Sequence, residues 1–253
     1  NQKYNPSKLQ EVYSRLTPKY TLPDWFAPLQ SRLHKMADEL TASLTGWHGS
    51  DATFRPEDFG LVPSEKATRA IQSAIDKAGE HGGTVRLSGG DYVSGTLILR
   101  SNVRLMVDSG SRLLASTDLA DYPEQIARRL TVQDTNMGMN QSLIFAEGCE
   151  NICICGGGEV DGQGTRTNFP GDETCHGTPG RPFLMRIIDC RDVHVHDITL
   201  RSAACWMENY LNCDRVLLER VTVRNQTNYN NDGIDIVDCD GVVIKNSFFN
   251  AAD

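Results

Sequence analysis

An all-β parallel β-helix with N-terminal helices is the fold this chain predicts, on three observations. Residues 190–200 (CRDVHVHDITL), 213–223 (CDRVLLERVTV) and 239–249 (CDGVVIKNSFF) align without gaps, their cysteines 23 and 26 residues apart. Val193, Val216 and Val242 share one register, as do Val195, Leu218 and Ile244. Alternate residues therefore point to one face, as a strand with one buried side requires. A period in the low twenties, with polar corners, marks a solenoid whose coils stack on a shared core. Residues 149–160 (CENICICGGGEV) extend the register approximately to an earlier coil.

The elements follow in order. Leu29, Leu33, Met36, Leu40 and Leu44 recur at helical spacing and predict an amphipathic helix ending near Gly46, expected to pack on the N-terminal end of the solenoid. Residues 1–50 are thus read as a helical extension and 51–253 as the solenoid. A second helix, near 64–79, starts from Ser64 as N-cap, carries Ile71, Ile75 and Ala78 inward, and closes at Gly82-Gly83. Such a helix covers the first coil, which would otherwise expose an open core and an unpaired edge. Strands are expected around 85–87, 96–99, 103–107 and 112–115, separated by Gly and Ser turns. Residues 161–182, rich in Gly, Pro and charge, break the repeat and form a long loop, the kind that flanks a binding face.

Composition excludes several functions. The 253 residues are 39% hydrophobic with a net charge of −8 and no basic tract, which argues against nucleic acid and against an anionic membrane surface. No apolar run reaches the roughly 18–20 residues of a membrane span. The chain starts at Asn1, so a removed leader is expected, and a monomer acting as a secreted, periplasmic or cell-surface protein fits. Cys149, Cys190, Cys213 and Cys239 share one repeat position, so they should stack about 4.8 Å apart as buried, unpaired thiols. Cys153 and Cys155 form a C-x-C without a second ligand pair at zinc spacing, and His194 and His196, opposite the buried valines, read as a solvated outer face. No metal and no cofactor are expected.

Candidate chemistry lies where the repeat is interrupted. In Asn230-Asn231-Asp232-Gly233-Ile234-Asp235, Asp232 precedes Asp253 by 21 residues, nearly one coil. The two aspartates should stack, close enough to raise one pKa and leave the other ionised, an acid and base pair in outline. Asn-Asp-Gly is also ordinary turn chemistry. Arg201 and Arg224 share a repeat position and point away from the core, either a cationic ladder for an anionic substrate or a solvated edge.

These residues resemble glycoside hydrolase family 28, the polygalacturonase-like pectin hydrolases, which are right-handed, pectin-lyase-like parallel β-helices. The likeness runs over residues 55–253, through Asp58-Phe59-Gly60, His81-Gly82-Gly83-Thr84-Val85, Gly90-Asp91-Tyr92, Gly158-Glu159-Val160-Asp161-Gly162, Trp206 and the NNDGID segment. The resemblance implies that Asp232 is one catalytic aspartate, with Asn230 leading its motif, and that Asp253 is the first of an Asp-Asp pair. It implies inverting hydrolysis of an α-linked galacturonide in a polysaccharide of the pectin type, Asp253 acting as general acid and Asp232 sharing the base role. Asn231 stands where that family has threonine, which suggests a non-standard substrate. The second aspartate of the pair, a Gly-His-Gly and an Arg-Ile-Lys would fall beyond Asp253, so the chain is expected to be the first part of a longer enzyme. Two other readings stay open: a calcium-dependent pectate lyase, and a non-catalytic solenoid that binds acidic glycans.

Overall fold

The computed structural model describes residues 23–128, 139–171 and 180–253. The chain divides after Glu39 into two compact units, Asn1–Glu39 and Leu40–Asp253. Helix α1 is Phe26–Leu44; in the first unit its Leu29, Leu33 and Met36 are exposed.

The second unit is a parallel β-helix. β1 (Thr53–Phe54) and helix α2 (Thr68–His81) precede a first coil of β2 (Gly83–Leu87), β3 (Asp91–Ser94) and β4 (Leu97–Ile98). Next come β5 (Val103–Val107), β6 (Arg112–Ala115) and β7 (Ser142–Glu147), then β8 (Glu150–Cys155), β9 (Glu159–Asp161) and β10 (Phe183–Ile188). The later coils are β11 (Arg191–Arg201) with β12 (Glu208–Leu211), β13 (Asp214–Asn225) with β14 (Asp235–Val237), and β15 (Asp240–Lys245) with β16 (Phe248–Ala251). Among the described residues every strand pairing is parallel, and three ladders result. One runs β1-β2-β5-β8, through the first halves of β11 and β13, to β15. A second runs β3-β6-β9, through their second halves, to β16. The third is β4-β7-β10-β12-β14.

The corners recur with the sequence repeat. Gly148, Asp189, Asn212 and Asp238, each just before a ladder cysteine, have φ of 63°, 51°, 52° and 52°. Asp197 and Arg220, at φ 47° and 54°, bend β11 and β13 from one ladder into the next. Left-handed backbone at a non-glycine residue is tolerated best by Asn and Asp, which explains the polar corners. Inward residues fall in register as the alternation predicts: Val193↔Val216↔Val242 and Val195↔Leu218↔Ile244. The buried members of these columns contribute about 1.5–3 kcal/mol each; Ile244, in the last coil, is 41% exposed. Cys149, Cys190, Cys213 and Cys239 are free thiols on successive coils, the central two buried.

Three expectations are corrected. Helix α2 starts at Thr68, not Ser64, because Ala67 N–H donates to Val93 O and Thr68 Oγ1 accepts from Gly95 N–H, tying the entry to β3. The end of α1 does not cover the first coil: Leu40 and Leu44 pack on Leu217 and Val243, outside the first ladder. His194 is consequently not solvated; it is 6% exposed beside that contact, and His196 is half-buried.

One buried pair lies inside the solenoid. Glu208 is 0% exposed, and Tyr210 O–H donates to its Oε2 at 2.7 Å. Burial pushes the Glu208 carboxyl up to about 8, so the folded protein holds a proton there that the unfolded chain releases near pH 4.3. That stabilisation is complete below the unfolded pKa and is lost as pH rises towards 8, at about 1.4 kcal/mol per pH unit. Glu208→Gln should flatten the decline, measured as denaturation midpoints from pH 4 to 9. Parallel curves for the two proteins would contradict the assignment.

Candidate active site

The site is built on the loop after β13. Asn225, fully buried, accepts from Ala203 N–H through Oδ1 at 2.9 Å and donates through Nδ2 to Cys205 O and Asp232 O at 3.0 and 2.9 Å. Met207 N–H also donates to Asp232 O at 3.0 Å. Asn231, 0% exposed, accepts from Thr227 and Asn228 N–H through Oδ1 and donates to Ala203 O and Cys205 O through Nδ2. All of its bonding capacity goes into the turn and the preceding coil, so Asn231 reaches no substrate; it fixes the backbone that carries Asp232.

The same loop anchors Asp253. Ala252 N–H donates to both Asn225 O and Asn231 O, at 3.0 and 3.2 Å. Asp232 and Asp253 are thereby brought within electrostatic reach, one coil apart. Burial and the Asp253 charge hold the Asp232 carboxyl above the usual carboxylate range. Asp235, three residues on, is the residue that sequence reasoning left unassigned. Burial first, and the Asp232 charge second, push it up to about 7. It pairs with Asn209 on β12, and Asp235 Oδ2 and both side-chain atoms of Asn209 are buried without a hydrogen-bond partner among the described residues. Two carboxylates in one another's field ionise together only at a cost. Asp235 is the more strongly shifted of the two.

An open groove of about 430 Å³ is lined by Asp253, Ala252, Asn230, Tyr229, Asn228 and Arg166. Asn230 takes φ 50° there. The Arg166 guanidinium stacks over the Tyr229 ring, 3.8 Å from its centroid, and supplies a cation beside Asp253. Nothing in residues 161–182 except their length and polarity pointed to Arg166. Arg181, 3% exposed, donates to Tyr229 O at 2.7 Å and braces the groove wall from beneath. Arg201 and Arg224 are in register as expected, yet they border a separate depression of about 190 Å³ with Gln226 and Asn250. Arg201 is engaged by Glu159 and Asp161 at 3.5 and 3.7 Å; Arg224 has no ion pair among the described residues. The arrangement therefore gathers Asp232, Asp235, Asp253 and Asn230, and leaves the arginine pair alongside.

Known proteins resemble this chain in sequence and in fold. The model of "Glycosyl hydrolases family 28" matches residues 101–253. A "Probable polygalacturonase" of Vitis vinifera is 26% identical over 208 residues, 78% of this chain and 42% of the relative. A polygalacturonase of Ralstonia solanacearum is 35% identical over 129 residues, 49% of this chain and 24% of the relative. The chain thus spans less than half the length of these relatives. A hyperthermoactive exopolygalacturonase from Thermotoga maritima shares the fold at TM-score 0.70 and 20% identity, over 86% of this chain and 56% of that one.

Proposed function

The chain belongs to glycosyl hydrolases family 28, and from that membership we propose that it hydrolyses α-galacturonide bonds in pectin-type polysaccharide with inversion. The observation that carries this reading is the pair of bonds from Ala252 N–H to Asn225 O and Asn231 O, which tie Asp253, on the wall of an open groove, to the loop that carries Asp232. In the form of the enzyme in which Asp253 carries a proton, Asp253, exposed on the groove, protonates the leaving oxygen. Asp232, ionised in that form, takes a proton from water on the opposite face of the sugar. Inversion requires about 6.5–9.5 Å between the acid and base carboxyls, with that water between them. Water deprotonated by carboxylate needs no metal at this step. A polymer of this size is met outside the cytoplasm, which supports secretion.

Incubation of the polypeptide encoded by its gene with polygalacturonate tests the reading. New reducing ends that form undiminished in chelator, with no near-ultraviolet absorbance from an unsaturated sugar, are expected. Chelator-sensitive absorbance would make it a lyase, and tight binding without cleavage a glycan-binding solenoid.

The arginines divide by position. Arg224→Ala is expected to raise KM with little change in kcat if the chain of uronates extends over Asn250 to the second depression; an unchanged KM removes Arg224 from the binding surface. Arg166→Ala, closer to Asp253, should raise KM more.

A further inference from the structure

The outer face of the first ladder carries a cluster that the carboxylate groove does not use. On β8, Ile152 and Ile154 point inward and Cys153 and Cys155 outward; on β11, Val193 and Val195 point inward and His194 and His196 outward. The strands are paired with His194 in register with Cys153, so the C-x-C of one coil lies directly against the H-x-H of the next. The second ligand pair missing from the neighbourhood of Cys153 in sequence is supplied by the following coil.

Three of the four ligand atoms stand near the spacing of a coordination shell. Cys153 Sγ lies 3.5 Å from His196 Nε2, and the ligand atoms of Cys153, Cys155 and His196 all fall within 4.8 Å of one another. Zinc bonds of about 2.3 Å to sulfur and 2.0 Å to nitrogen, at tetrahedral angles, put ligand atoms roughly 3.3–3.8 Å apart. These three need a contraction of up to about 1 Å, and His194, whose ring lies 4.2 Å from that of His196, has to turn its Nε2 inward to complete the shell.

Both imidazoles are oriented for the task. His196 Nδ1 is 2.8 Å from Asp197 Oδ2, and Asp197 is itself gripped through both oxygens by Arg220 at 2.6 and 2.8 Å. His194 bonds the backbone of Leu44, while its Nε2 is buried with no hydrogen-bond partner among the described residues. The two rings stack with centroids 4.2 Å apart. A carboxylate or carbonyl on Nδ1 and a lone pair on Nε2 is how proteins present histidine to a metal. His194, 6% exposed, is an orphaned polar group whose cost a ligand bond would remove.

We propose that Cys153, Cys155, His194 and His196 form a Cys₂His₂ site for a borderline-soft divalent cation, best matched by zinc, that staples two successive coils beneath the end of helix α1. Four protein ligands leave no open position, so the site is structural.

Cobalt(II) is the probe. The protein, stripped of metal and kept reduced, is titrated with cobalt and then zinc. One cobalt per chain is expected, with a thiolate charge-transfer band in the near ultraviolet and intense tetrahedral visible bands, all displaced by stoichiometric zinc. Cys155→Ser should halve the charge-transfer intensity, and Asp197→Ala should weaken zinc binding about 10- to 100-fold. Cys239→Ser, in the other thiol column, should leave the spectrum unchanged. X-ray absorption of the zinc-loaded wild type needs no variant and should give two sulfurs near 2.3 Å and two nitrogens near 2.0 Å. Weak octahedral cobalt bands, or a charge-transfer band that survives serine at both 153 and 155, would overturn the proposal.

Discussion

Asp232→Asn is expected to lower kcat on polygalacturonate by about 100- to 10,000-fold, the range for loss of a positioned acid or base, with KM and melting temperature little changed. The Asp232 backbone is held through its carbonyl by Met207 and Asn225, bonds that the substitution leaves intact. Its carboxyl, by contrast, feels the charge of Asp253 and bears on the titration of Asp235. An amide there accepts no proton from water. It also removes the charge that helps hold Asp235 up, so the Asp235 carboxyl should titrate at lower pH in the variant, readable by carbon NMR. Equal losses in kcat and thermal stability would instead make Asp232 a structural residue.

Asn231→Ala should cost about 2–5 kcal/mol of stability, by loss of a buried side chain that makes four hydrogen bonds. Thr227 and Asn228 N–H would be left without their acceptor inside the fold, and each orphaned buried group costs about 1–3 kcal/mol. Because the turn carries Asp232 and accepts from Ala252 at the same time, kcat should fall together with stability. Chemical denaturation of the purified variant measures the loss. A change under 1 kcal/mol would mean the turn is held by other contacts.

Much of the solenoid was legible because its register is set by alternation, which is local. Val193, Val216 and Val242 stack as their sequences align, and so do Arg201 and Arg224. The cysteine column followed for the same reason. The start of α2 was not legible, since the Thr68 hydroxyl serves Gly95, 27 residues away, rather than capping the helix itself. The Asp232 and Asp253 pairing could be read from a spacing of one coil. Asp235 could not, because its burial depends on Asn209 in the third ladder, and Asn-Asp-Gly-Ile-Asp reads locally as a turn. Arg166 lies in a loop without period, where no register predicts a neighbour. The burial of His194 was hidden as well. It depends on where the end of α1 lands, at Leu217, and helical spacing alone does not say which coil a helix will cover.

The most direct test of the central claim is the anomeric configuration of the first product, followed by proton NMR as the gene-encoded polypeptide digests an α-linked oligogalacturonide. Initial release of the β-anomer, absent in Asp232→Asn, is the result predicted for water attacking opposite the leaving oxygen. Initial release of the α-anomer, or of a 4,5-unsaturated end, would contradict it.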